Sequence, residues 1–70
     1  MSNKKKYRHS YSNFEKILTD KGITSYKVAS DLEISPMTLS DWKNGKSKPK
    51  LDKMLKISNY LGVDVSNFVD

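Results

Sequence analysis

A chain of 70 residues, 36% apolar and free of cysteine, has room for one small domain and excludes a disulfide framework or a thiolate metal site. Thirteen Lys and Arg against eight Asp and Glu give a net charge of +5, which suits a polyanionic partner and equally an ordinary solvated lysine face. No apolar run approaches the ~18 residues of a membrane span, and Met1–Lys6 is basic without the apolar stretch of a secretory signal; a soluble protein of the cytoplasm is expected.

Residues 1–11 carry Lys4, Lys5, Lys6 and Arg8 with no acid. They show no helical period, which predicts a flexible basic arm ahead of a domain over residues 12–70. Ser12 and Glu15 have the spacing of a capping box and set the expected start of the first helix. Phe14, Ile17 and Leu18 then share one face, and Gly22 supplies the left-handed close. Thr24 is a plausible N-cap for a second helix that buries Val28, Ala29 and Leu32. Ala29 is small where two helices must cross, and a larger side chain there should overpack the crossing by roughly 1–3 kcal/mol. Ile34 is apolar within a polar turn, so that turn is expected to fold against the core.

Ser35-Pro36 is a strong helix start, with serine as cap and proline at a first-turn position whose N–H is not needed. Leu39 and Trp42 lie on the inner face of this third helix, and Gly45 ends it. Residues 43–56 hold six lysines against Asp52 alone, the second concentration of positive charge. A fourth helix from about Leu51 to Leu61 places Leu51, Met54, Leu55, Ile57, Ser58 and Leu61 near one face, with Gly62 as its close. Asp64 can cap a short fifth helix carrying Val65, Phe68 and Val69. No alternating strand pattern and no internal repeat occurs, so the fold is expected to be all-α, a compact bundle of five helices.

From Phe14 to Phe68 the chain resembles the lambda repressor/Cro-like helix-turn-helix domains of phage and bacterial transcription regulators. The landmarks are Ala29, Leu32, Ile34-Ser35, Leu39, the run Trp42-Lys43-Asn44-Gly45-Lys46 with Pro49, and Leu61-Gly62-Val63. Each is weak alone; their order and spacing make them specific. The resemblance implies that helices 2 and 3 form the motif and that helix 3, about residues 36–44, enters the major groove. It also implies a homodimer on a near-palindromic operator of double-stranded DNA; no cofactor or metal is expected.

A major groove about 12 Å wide admits one helix and offers a distinct donor and acceptor pattern for each base pair. With Leu39 and Trp42 inward, Pro36, Met37, Thr38, Ser40 and Asp41 are left to read bases. Met37 and Pro36 suit a thymine methyl, Thr38 donates or accepts, and Asp41 accepts from a cytosine amine. Phosphate contacts are expected from Ser25 at the start of helix 2, and from Lys43, Asn44, Lys46 and Lys48. Lys4, Lys5, Lys6 and Arg8 of the arm would add salt-sensitive affinity.

Three positions depart from the family pattern. Glu33 stands where glycine is common, which forces a non-glycine residue towards left-handed geometry at a cost of roughly 1 kcal/mol. Lys43 replaces a frequent acid, and Ser25 and Pro36 replace the glutamines that often open helices 2 and 3.

Blander readings stand beside these assignments. Met37 reads also as plain surface or a subunit contact, Asp41 as a solvent-facing carboxylate, and Lys53 and Lys56 as bystanders. Phe68 and Val69 either complete the core or form a dimer surface. There is no nucleophile with a spaced base, no metal-ligand cluster and no phosphate loop, and His9 stands alone; an enzyme is not expected. The competing classes are a protein-interaction module of antitoxin-like type and a membrane-surface binder, the latter without an amphipathic helix to support it.

Overall fold

The computed structural model describes residues 6–70; Lys4 and Lys5 of the expected arm lie outside the described residues. Four α-helices follow in order: α1 (Arg8–Lys21), α2 (Ser25–Leu32), α3 (Pro36–Lys43) and α4 (Leu51–Leu61). The expected fifth helix is instead a single 3-10 turn, Val65–Phe68. Four residues are too few to establish an α-helical ladder, and Asp64 caps this shorter element by accepting from the Ser66 N–H at 2.8 Å.

α1 starts four residues before the boundary drawn at Ser12. Arg8, His9, Ser10 and Tyr11 are helical rather than part of an arm, and Ser12 is an exposed residue inside the helix. The early start is held by packing: Ser10 is fully buried, and Tyr7 and Tyr11 lie against the core. The local cap residue, Tyr7, contributes no side-chain bond. Asp70 takes that role from the far end of the chain, accepting from the Ser10 N–H at 2.8 Å.

The starts of α2 and α3 follow local chemistry. The Thr24 hydroxyl accepts from the Lys27 N–H at 3.1 Å and opens α2. The Ser35 hydroxyl accepts from the Met37 N–H at 3.2 Å with Pro36 in the first turn, and opens α3. α1 closes at Gly22 with φ 69°, where the Ile23 N–H reaches the Leu18 carbonyl at 3.1 Å. α2 closes in the same way without glycine. Glu33 adopts φ 57°, ψ 40°, and the Ile34 N–H bonds the Ala29 carbonyl at 2.8 Å. That bond, with the Glu33 N–H on the Ser30 carbonyl at 3.3 Å, turns the chain sharply and carries Ile34 into the core.

The core joins all elements: Phe14 and Leu18 of α1, Val28 and Ala29 of α2, Leu39 and Trp42 of α3, Met54, Ile57 and Leu61 of α4, and Phe68. Trp42 is its hub, with ring centroids 4.9 Å from Phe14 and 5.9 Å from Phe68, the latter edge-on. Such aromatic pairs contribute about 0.5–1.5 kcal/mol each beyond their buried area. Leu51 and Leu55, expected on the inner face of α4, are instead 68% and 43% exposed. α4 packs on α2 and the 3-10 turn, and these cover a narrower stripe than its apolar face supplies.

Candidate nucleic-acid interface

α3 is pinned from within and open without. Leu39 and Trp42 are buried, whereas Met37 is 64% exposed, Pro36 and Ser40 are exposed, and Thr38 and Asp41 are half-buried. All five expected readout residues therefore lie away from the core on one short helix. The ion pairs among the described residues are Lys27–Asp31 and Lys48–Asp70, so neither consumes a group on this face.

The Trp42 indole anchors the helix by chemistry as well as volume. Its Nε1–H donates to the Ser10 Oγ at 2.9 Å in a fully buried bond. Rotating the helix to bring Trp42 outward would break that buried bond and take the indole out of the aromatic cluster. The inner face thus fixes which side chains project.

Around α3, Lys43 and Lys46 are exposed, Asn44 is the half-buried cap, and Ser25 stands half-buried at the start of α2. An open pocket joins α2 to α3, lined by Ser25 and Tyr26 with Pro36, Ser40 and Lys43, and backed by Tyr11. Burial, with the Glu15 carboxylate adding to it, pushes the Tyr11 phenol up, so it stays an uncharged O–H donor. Sequence reasoning missed Tyr26, which is 72% exposed. No periodic signal marked it, because Tyr26 stands three residues before the buried Ala29, at the spacing of one helix face.

Lys48 differs from the other loop lysines. Its ammonium lies 3.2 Å from the Asp70 carboxylate, with both side chains about three-quarters covered. Lys6 and Arg8 are exposed at the start of α1, the Lys6 ammonium 5.5 Å from the Tyr7 ring centroid.

Two helices braced through a tight turn, the second with its outer side bare, define a helix-turn-helix protein. A helix-turn-helix family model matches residues 14–68, and the chain belongs to this lambda repressor/Cro-like family of DNA-binding regulatory domains. No curated protein and no solved structure matches it. Among the described residues no helix is long and apolar enough to cross a membrane.

Proposed function

We propose that this protein is a sequence-specific regulator of transcription, a repressor, that seats α3 in the major groove of double-stranded DNA in a bacterial or phage-infected cell. The observation that carries the reading is the bare outer side of α3, with Met37 64% exposed over a fully buried Trp42. Pro36, Met37, Thr38, Ser40 and Asp41 read base edges, the side chains nearest the N-terminal end reaching deepest. Ser25, Lys43, Asn44 and Lys46 hold phosphates on either side, and Lys4, Lys5, Lys6 and Arg8 add charge along the backbone. Tyr26 joins them, since a duplex that covers Pro36 and Ser40 also covers the pocket they share.

A near-palindromic operator and a homodimer complete the proposal. Leu51, Leu55 and Val69, respectively 68%, 43% and 62% exposed, supply apolar surface that a second copy would cover. The same surface favours the second reading, a module whose main partner is another protein; in that case DNA affinity at physiological salt would be weak.

Binding of two variants to a preferred site and to random duplex, over a range of salt, tests the assignment. Lys46→Ala should weaken both duplexes alike and lower the salt slope by about 0.9. Thr38→Ala should cost about 1–3 kcal/mol on the preferred site alone. Indistinguishable profiles for the two variants would remove the division between readout and phosphate contact.

A further inference from the structure

Among the described residues Asp70 is the most heavily engaged carboxylate. One oxygen accepts from the Ser10 N–H at 2.8 Å and the other from the Ser10 hydroxyl at 2.6 Å. The second oxygen also lies 3.2 Å from the Lys48 ammonium. Ser10 in turn receives the Trp42 indole N–H. The carboxylate is thus fixed by the start of α1 whether or not Lys48 is present, and it waits at a set place beside the loop that follows α3.

Among the described residues Lys48 has no comparable second partner, and its side chain is only 24% exposed. Lys43, Lys46 and Lys50 around it are exposed, and no acidic side chain pairs with them among the described residues. A charge pair with both members mostly covered is screened less by salt than one in open water. To reach a phosphate, Lys48 would have to leave an anion that α1 holds rigidly. The duplex would gain one contact and strand one partly buried carboxylate close to its own negative charge.

We propose that Asp70 is a built-in counter-ion that withholds Lys48 from the DNA backbone, so that of the lysines in the loop after α3 Lys48 alone is masked. This rests on the DNA-binding reading above and deepens it: the carboxylate sets how many phosphates the domain neutralises, and hence how strongly it holds DNA of any sequence. A domain that must leave non-specific sites gains selectivity from one fewer sequence-independent contact.

The test uses the full 70-residue chain and random-sequence duplex. Asp70→Asn keeps an acceptor for the Ser10 N–H while removing the charge. It should tighten binding roughly 3- to 10-fold at about 0.1 M salt and steepen the slope of log K against log salt by about 0.9. The gain must disappear in Asp70→Asn/Lys48→Ala; a gain that persists there reflects net charge alone and overturns the proposal. Unchanged or weaker binding by Asp70→Asn also overturns it. Lysine acylation footprinting of the unaltered chain serves if the variant folds poorly. Added duplex should protect Lys46 and leave Lys48 as reactive as in the free protein, whereas new protection of Lys48 refutes the mask. If the unaltered chain shows no salt-dependent DNA binding at all, the functional reading falls and takes this inference with it; if it binds and only these outcomes fail, the inference alone falls.

Discussion

Replacing Glu33 by glycine should make this protein more stable, although the change deletes a side chain and adds no contact. Glu33 is the only non-glycine residue with positive φ among the described residues, at 57°, and its side chain is exposed. A left-handed conformation costs an L-residue with a Cβ about 1–2 kcal/mol. Glycine does not incur that cost, but its unfolded chain is freer, which returns about 0.4–1 kcal/mol. The difference is a net gain of about 0.5–1 kcal/mol, worth about 2–8 °C in Tm for a domain of this size. Thermal unfolding followed by circular dichroism measures it directly. Glu33→Ala is the control: it removes the same carboxylate and keeps the Cβ, so it should show no such rise. If Glu33→Gly melts at or below the parent temperature, or if alanine matches glycine, the turn is not strained in the way its dihedrals imply.

Ser10→Ala should destabilise the fold by about 1–3 kcal/mol in denaturant titration, because it orphans the buried Trp42 indole N–H and takes one of its donors from the Asp70 carboxylate; a loss below about 0.5 kcal/mol would mean that water replaces the hydroxyl. Stability should also fall in acid. Burial alone would raise the Asp70 carboxyl, but the Ser10 hydroxyl and amide and the Lys48 ammonium outweigh it and hold it below the ordinary carboxylate value. Hydrogen bonds from the Ser66 amide and side chain lower Asp64 in the same direction. A depressed folded-state value stabilises above the unfolded carboxyl range near pH ~3.9 and is lost as pH falls through the folded value. Unfolding midpoints measured from pH ~6 to pH ~2 should therefore drop below about pH 4, and a flat profile would contradict the network around Asp70.

How much of this was legible in the chain follows the range of the forces involved. Ser35-Pro36, Thr24 and Gly22 act within one turn of themselves, and α2 and α3 begin where those residues indicate. Glu33 could be placed in the left-handed region only through the family resemblance, because glycine is common at that position of the turn. The start of α1 was misplaced for the opposite reason. Its capping group, Asp70, lies 60 positions away, and no local pattern announces a partner at that distance. Lys48 reads in sequence like Lys46, since the pairing that separates them is again with Asp70. On α4 the apolar stripe indicated Leu51 and Leu55 as core, but periodicity reports which residues share a face and not how widely neighbours cover it. The inward pair Leu39 and Trp42 was the strongest inference, because an eight-residue helix with two large apolar residues three apart has only one side to bury.

Selection of bound duplexes from a random-sequence pool tests the central claim most directly, since it asks whether the outer side of α3 reads bases at all. The account predicts an enriched motif with two-fold symmetry, its half-sites centred about 34–36 Å apart, and a change at one position per half-site when Thr38→Ala is used. Duplexes retained with no base preference, in proportion only to length and salt, would contradict it.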